Sequence, residues 1–136
     1  MEKILKKLNV YLIFLINIFW MILIYVLTTF PVVEEEKQES LNFLHFDKVV
    51  HFFLFGICAF LLILFFKKIK LSRNIWLIFN IIIVSSYSFS LEMLQKNIPG
   101  RLNSVYDFLF SFLGVISFNF FVLYCFDEES YKKCKT

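Results

Sequence analysis

Four long apolar segments alternate with short polar segments along the chain of 136 residues. The apolar segments cover residues 8–30, 49–66, 75–94 and 105–126, and few ionisable side chains fall inside them. A helix needs about 20 apolar residues to cross the hydrocarbon core of a bilayer. Each segment is therefore predicted to be a membrane-spanning helix. Because the connections are short, we expect an all-α fold in which residues 1–136 form one domain, an integral membrane four-helix bundle.

The composition supports this class of protein and disfavours others. Hydrophobic residues make up 60% of the chain and charged residues 18%, whereas soluble domains contain about 45–50% and about 25%. A soluble fold of this size would leave much of its apolar surface in water. The net charge of +3 is too small to indicate a polyanionic partner such as a nucleic acid. Soluble enzymes, disulfide-rich secreted domains and nucleic-acid binders are therefore disfavoured.

The first apolar segment follows three lysines, an arrangement that also occurs in secretory signal peptides. The segment is longer than the apolar core of about 7–15 residues found in such peptides. It also ends in Thr28-Thr29-Phe30-Pro31 and not in a small-residue cleavage site. We therefore expect an uncleaved helix.

The distribution of lysine and arginine predicts the orientation in the cell membrane. Of the 14 Lys and Arg residues, ten lie in the N-terminal segment, in the loop of residues 67–74 and in the C-terminal tail. The remaining four lie in residues 31–48 and 95–104. Because cytoplasmic segments carry the excess of Lys and Arg, both termini are expected in the cytoplasm and residues 31–48 and 95–104 outside the cell.

With this orientation, most of the unusual polar residues fall near the outer face of the membrane. They are Asp47, Lys48, His51, Glu92, Gln95, Arg101 and Asp107. Asp47 and His51 are four residues apart and share a helix face. Glu92 lies inside an apolar helix, where a carboxylate is costly unless it is paired, protonated or hydrated. Because ionisable groups at such positions commonly face a bundle interior or a watery cavity, these residues form the candidate ligand-binding site.

Structural roles remain open for several of these residues. Asp47 has the position of an N-cap for the second helix. Asp107 has the position of the acidic residue in a capping box that begins at Ser104. Glu92 could form a bidentate salt bridge with Arg101 that fixes the third and fourth helices together.

No motif in the sequence indicates a metal or a cofactor. A single histidine such as His51 is more often a hydrogen-bonded structural residue than a metal ligand, and the nearby carboxylates raise the metal interpretation only slightly. Neither a glycine-rich phosphate loop nor a nucleophile elbow is present. The sequence therefore predicts no metal site and no cofactor.

Other polar and small residues are predicted to serve helix packing. Asn17 and Asn80 are expected to form hydrogen bonds between helices. Ser111, Gly114 and Ser117 recur every three residues and predict a stripe of small residues for close helix contact.

The order and spacing of the outer polar residues resemble the VanZ-like family of small bacterial membrane proteins. The family carries a D-K-x-x-H helix start, an E-x-x-Q helix end and a P-G-R-x-x-S-x-x-D turn, which here are Asp47, Lys48, His51, Glu92, Gln95, Pro99, Gly100, Arg101, Ser104 and Asp107. The resemblance covers residues 45–118, which include three of the four predicted helices. In the fourth helix Ser111 stands where the family commonly has Asn, and Phe118 where a second Gly is often seen, whereas Gly114 fits.

The resemblance implies a cell-envelope protein, since the founding member of the family is associated with low-level resistance to the glycopeptide teicoplanin. Because teicoplanin carries a lipid tail, an effect at the outer leaflet is expected. The leading hypothesis is a protein that binds a phosphate-bearing or amphiphilic ligand there, with Arg101 and Lys48 holding the anion. The expected partner is then a membrane lipid or a lipid-linked envelope component.

Two alternatives remain open. The first is an enzyme acting on a lipid-linked envelope substrate with His51 or Glu92 as general base, but no catalytic motif supports it. The second is a non-catalytic helper or scaffold subunit whose polar residues only hold helices together. Four short helices form a thin scaffold for a transport path, so transport would require a homo-oligomer.

Overall fold

The computed structural model describes residues 9–30, 41–98 and 104–133, with side chains for residues 9–30, 47–98 and 104–125. These segments contain four α-helices and no strand. They are α1 (Val10–Thr29), α2 (Leu41–Lys68), α3 (Arg73–Gln95) and α4 (Val105–Lys133). Each helix contains a stretch of 20 to 23 residues that is long and apolar enough to cross a membrane. The prediction of an all-α chain with four potential membrane-spanning helices is confirmed.

The helix boundaries follow the apolar segments at most ends but not at the start of α2. This helix begins at Leu41, inside the segment that the sequence assigns to an external loop. Its 28 residues give a length of about 42 Å at 1.5 Å per residue, which is the thickness of a bilayer with its headgroup regions. Helical hydrogen bonding therefore continues through the more polar turns before Val49. Asp47 consequently lies inside α2, and its predicted role as the N-cap is wrong.

Consecutive helices run in opposite directions. Asn17 Nδ2 on α1 donates to the carbonyl of Leu61 on α2 (3.2 Å), and Trp20 Nε1 donates to the carbonyl of Leu54 (3.0 Å). Residues further along α1 thus contact residues earlier in α2, which makes the pair antiparallel. A tight turn over residues 69–72 then reverses the chain between α2 and α3.

The outward faces of the helices are apolar. Large hydrophobic side chains are exposed on every helix, among them Phe19, Phe53, Phe79 and Phe120. Soluble monomers rarely expose contiguous apolar surface on this scale, whereas lipid accommodates it. Between the helices, buried apolar residues form two clusters, one of them around Phe55.

α2 and α4 run parallel and approach closely at two glycines. A Cβ on Gly114 of α4 would overlap the backbone carbonyl of Phe52 on α2. One turn further along, a Cβ on Gly56 of α2 would lie 2.5 Å from the ring of Phe118 on α4. Gly114 thus permits contact between the two backbones, as small residues do in membrane helix pairs.

The predicted stripe of small residues is confirmed in part. Ser111 and Gly114 are buried, whereas Ser117 is exposed. An α-helix has 3.6 residues per turn, so residues spaced by three drift around the helix and the third member leaves the contact face.

Both asparagines predicted to connect helices do so. Asn17 contacts α2 as described above, and Asn80 Nδ2 on α3 donates to Asn119 Oδ1 on α4 (3.0 Å). Asn119 Nδ2 in turn donates to the carbonyl of Val115 in its own helix (2.7 Å). These amides stabilise the middle of the bundle, where a polar group without a partner would be costly.

Substitution of Gly114 by alanine tests the contact between α2 and α4. Gly114→Ala is expected to lower the free energy of unfolding by about 1–3 kcal/mol, the range for overpacking a filled core, because the methyl group would displace the α2 backbone. The measurement is equilibrium unfolding of the protein in detergent micelles by titration with sodium dodecyl sulfate.

Gly56→Ala is the matched control. Its methyl group would meet the ring of Phe118, which can move, so the loss of stability should be smaller, and Phe118→Ala in the same chain should restore it. A larger loss in Gly56→Ala than in Gly114→Ala would contradict the importance of the backbone contact.

Candidate functional site

One end of the bundle collects polar side chains from all four helices. At this end α1 and α3 finish, α4 begins, and α2 is in its second and third turns. Gln95 Nε2, in the last turn of α3, donates to the carbonyl of Thr28 near the end of α1 (3.0 Å). We call this region the polar end of the bundle.

His51 lies at the centre of a group of residues that we call the polar cluster. Its members are Asp47, His51, Glu92, Asp107 and Ser111. The His51 Nδ1 atom lies 3.2 Å from Ser111 Oγ and 3.6 Å from Glu92 Oε1, and the Nε2 atom lies 3.9 Å from Asp47 Oδ1. His51 and Glu92 are only 2% and 3% exposed. Both ring nitrogens of a buried imidazole therefore face oxygen atoms.

The hydroxyl of Ser111 indicates which ring nitrogen carries the proton. Ser111 Oγ donates to the backbone carbonyl of Asp107 at 2.8 Å. With its proton engaged there, the hydroxyl oxygen is left to accept from His51 Nδ1–H, which favours a proton at Nδ1. The other ring nitrogen, Nε2, faces Asp47. An imidazole held at one nitrogen in this way can bind a cation or accept a proton at the other.

Asp107 joins the polar cluster from the first turn of α4. One ligand atom from each of Asp47, His51 and Asp107 lies within 4.8 Å of the other two. Carboxylate oxygen and imidazole nitrogen are both ligands of divalent transition metals. In the described part of the chain, these three residues are the group that could hold a metal ion.

Glu92 reaches the polar cluster from the last turn of α3. The last turn of a helix carries partial negative charge from its free carbonyls, so a buried carboxylate there requires a nearby donor or cation. The imidazole of His51 lies 3.6 Å from Glu92 Oε1 and forms an ion pair with it when the ring is protonated. Ser88 lies one turn earlier on the same face, and its buried hydroxyl makes no hydrogen bond to the described residues. This face of α3 is therefore polar well below the helix end.

Four of the seven residues predicted to bind a ligand meet in the polar cluster. They are Asp47, His51, Glu92 and Asp107. Gln95 instead bonds to Thr28 and connects α3 to α1. Lys48 is half-buried next to Asp47 on α2. Arg101 lies outside the described residues, and so does the predicted salt bridge between it and Glu92.

Ser111 was predicted to serve helix packing, and its contact with His51 was not predicted. The contact could have been predicted from one feature of the sequence: Ser111 follows Asp107 by four residues and therefore shares its helix face. The register between α2 and α4 decides which residue of α4 lies opposite His51. That register depends on the contact at Gly114, which the periodicity of a single helix does not specify.

No protein-family model, curated protein or solved structure matches this chain. The described residues define an all-helical protein with four potential membrane spans and a buried polar cluster at one end. Function must therefore be inferred from the residues of that cluster and from their geometry.

Removal of the Ser111 hydroxyl tests its contact with His51. Ser111→Ala is expected to reduce the free energy of unfolding by about 0.5–1.5 kcal/mol, the usual net value of one hydrogen bond, because His51 loses an acceptor. Unfolding in detergent micelles measures the change. Ser117→Ala, the same substitution at an exposed position of α4, should stay within about 0.5 kcal/mol of the wild type. Equal stability of both variants would argue against the contact.

Proposed function

We propose that this chain is a cell-envelope membrane protein whose polar end binds a phosphate-bearing or amphiphilic ligand at the outer leaflet. The observation that carries the proposal is the convergence of Asp47, His51, Glu92 and Asp107 at one end of a bundle with apolar outer faces. Ionisable groups in membrane-spanning helices are costly and commonly mark binding sites or ion pathways. A lipid-linked ligand suits this surface because its tail would lie against apolar helix faces and its headgroup near the polar cluster.

Positive charge for an anionic headgroup is assigned to two residues. Lys48 follows Asp47 on α2, and Arg101 belongs to the connection between α3 and α4. Arginine binds phosphate with paired parallel hydrogen bonds, and lysine acts as a point charge. We therefore assign Arg101 the larger share of headgroup binding.

The distribution of basic residues supports placement of the polar end at the outer leaflet. The turn between α2 and α3 contains Lys70 and follows Lys67 and Lys68 at the end of α2. Because cytoplasmic segments carry the excess of Lys and Arg, we assign this turn and both termini to the cytoplasm. The polar end lies at the opposite end of the bundle and faces outward.

The resemblance to VanZ-like proteins extends the proposal to glycopeptide resistance. It rests on the motif residues, among which Asp47, His51, Glu92 and Asp107 meet in space. We propose that the ligand is a lipid or lipid-linked component of the envelope and that its binding reduces susceptibility to teicoplanin.

An enzyme and a scaffold subunit are less well supported. His51 and Glu92 could exchange protons with a substrate, but Ser111, the hydroxyl nearest to His51, is 0% exposed and donates to its own helix, which does not suit a nucleophile. A scaffold role is supported by Gln95 and Asn80, whose amides connect helices. The Gln95 contact lies beside the polar cluster and the Asn80 contact lies in the middle of the bundle, and neither explains why carboxylates surround His51.

Lipid analysis of the purified protein tests the proposed ligand. Wild-type protein extracted in mild detergent is expected to retain a phosphate-bearing lipid, and Arg101→Ala should reduce its amount about tenfold or more, because hydrogen bonds to charged groups contribute about 1.5–3 kcal/mol. Mass spectrometry of lipid per mole of protein measures the effect.

Arg73→Ala is the matched control, since Arg73 begins α3 at the end of the bundle opposite the polar end. It should retain the lipid at the wild-type level. A lipid content that is equal in wild type and both variants would contradict headgroup binding by Arg101.

Antibiotic susceptibility tests the proposed link to resistance. A Gram-positive host that expresses the wild type is expected to tolerate a higher concentration of teicoplanin than the empty host, and Glu92→Gln should abolish the difference because it removes a charge from the polar cluster. Minimal inhibitory concentrations of teicoplanin and vancomycin are compared at matched protein levels in the membrane.

Ser117→Ala serves as the control and should protect as well as the wild type. Absence of protection by the wild type would remove resistance from the proposal, whereas the lipid measurement would still test ligand binding.

A further inference from the structure

The polar cluster contains an arrangement of ligand atoms that a phosphate site alone does not require. Asp47 and His51 lie on one face of α2, and Asp107 lies opposite them in the first turn of α4. Their three ligand atoms lie within 4.8 Å of one another. Carboxylates repel a phosphate group, so two of them at its binding site call for a cation between the protein and the anion.

The geometry of the three ligands suits a metal ion with few changes. Ligand atoms around a tetrahedral Zn²⁺ with bonds of about 2.0–2.1 Å lie about 3.3 Å apart. The Nε2 atom of His51 and the Oδ1 atom of Asp47 lie 3.9 Å apart. Small rotations of the two aspartate side chains would bring their carboxylate oxygens to bonding distance of a metal ion held by His51. Asp47 is partly exposed, so a metal ion could reach the group from outside.

The orientation of the His51 ring places Nε2 toward the carboxylate of Asp47. Nδ1 faces Ser111 and Glu92. Metal-binding histidines almost always donate their second nitrogen to a carboxylate, a carbonyl or water, which fixes the ring and strengthens the ligand. The buried pair of Glu92 and Ser111 has this relation to His51.

The charge of the group also matches a divalent ion. As ligands, two ionised aspartates and one neutral imidazole carry a formal charge of −2, which a divalent cation cancels; Glu92, 3.6 Å from His51, is a further carboxyl beside this ligand set. Cancellation of charge lowers the cost of burial in a low-dielectric environment. The free carbonyls at the end of α3 add partial negative charge on the same side.

We propose that Asp47, His51 and Asp107 bind one divalent transition-metal ion, with Glu92 and Ser111 as positioning residues for His51. The imidazole nitrogen favours Zn²⁺ over Mg²⁺ and Ca²⁺, which prefer oxygen ligands throughout, and the two carboxylates also suit Mn²⁺. Three protein ligands leave coordination positions open, as in zinc sites that bind water or substrate. This inference replaces the sequence-based expectation that the chain binds no metal.

The metal site adds a binding mode to the proposed function. It rests on that function in one respect, because the open coordination positions are assigned to the phosphate oxygens of the proposed ligand. A metal ion would supply the positive charge that the carboxylates require before an anion can approach. Metal binding by the three side chains does not itself depend on the lipid, so the two proposals can be tested separately.

Metal content of the full chain tests the site. Protein purified in an uncharged detergent is stripped with a chelator and dialysed against Zn²⁺ or Mn²⁺ alone, and the bound metal is measured by plasma mass spectrometry. We expect about one ion per chain, weak binding of Mg²⁺, and Co²⁺ absorption bands that report nitrogen and oxygen ligands. Asp107→Asn should lose the metal, and Glu92→Gln should weaken binding by about 10–100-fold, as removal of a partner of a metal-bound histidine does.

Asp127→Asn is the matched control because it makes the same change in the same helix. Asp127 follows Asp107 by 20 residues in α4, which separates the two backbone positions by about 30 Å. It should bind metal as the wild type does. Circular dichroism and gel filtration verify that each variant is folded, and Asp47→Asn provides a second ligand substitution if Asp107→Asn does not fold.

The outcomes separate the two proposals. Metal bound by the wild type and Asp127→Asn but not by Asp47→Asn or Asp107→Asn supports the metal site, whatever the lipid content of the samples. Wild-type protein that binds no more Zn²⁺ or Mn²⁺ than folded Asp107→Asn overturns it. Lipid retained in that case leaves the proposed function in place without a metal, and metal bound by protein that never retains lipid leaves the metal site without the proposed ligand.

Discussion

The close contact between α2 and α4 is the constraint on which the candidate site depends. At Gly114 the two helices approach until a methyl group would overlap the carbonyl of Phe52. His51 lies one residue before Phe52 on α2, and Ser111 lies three residues before Gly114 on α4. The same contact that sets the spacing of the backbones therefore brings the imidazole to the hydroxyl at 3.2 Å. A larger residue at Gly114 would separate the ligand atoms as well as the helices.

A second constraint follows from the cost of charge in an apolar environment. Asp47, Glu92 and Asp107 bring three carboxylates to one imidazole, and only Asp47 among them is partly exposed. Hydrophobic packing elsewhere in the bundle must offset the burial of such groups, since a buried ionic group is seldom a source of net stability. Gln95 and Asn80 differ from them because they are neutral amides, whose hydrogen bonds to neighbouring helices involve no buried charge. Contacts between helices therefore account for the burial of these two amides better than for the burial of the three carboxylates.

Much of the fold could be predicted from the sequence because apolar length is a strong signal in membrane proteins. The four helices and the contacts of Asn17 and Asn80 between helices are confirmed. The start of α2 could not be predicted in the same way, because the helix begins at Leu41, before the apolar segment from which it was predicted. Asp47 was therefore expected at a helix end, although it lies in the second turn.

The candidate site was predictable in composition but not in arrangement. The spacing of Asp47 and His51 placed both on one face of a helix, because that relation is local. Which residues of α3 and α4 meet this face depends on rotation and register between helices, and these follow from contacts such as the one at Gly114. For this reason the sequence grouped Gln95 with Glu92, whereas the structure directs Gln95 to α1 and Glu92 to His51.

The direction of the hydrogen bonds around His51 connects the fold to chemistry. Ser111 donates within its own helix, so a local backbone contact of α4 favours Ser111 Oγ as the acceptor for Nδ1–H of His51 on α2. The other ring nitrogen, Nε2, faces Asp47 on the more exposed side of the polar cluster. This orientation places a ring nitrogen beside the carboxylates of Asp47 and Asp107 at the polar end, an arrangement that suits the metal ion we propose.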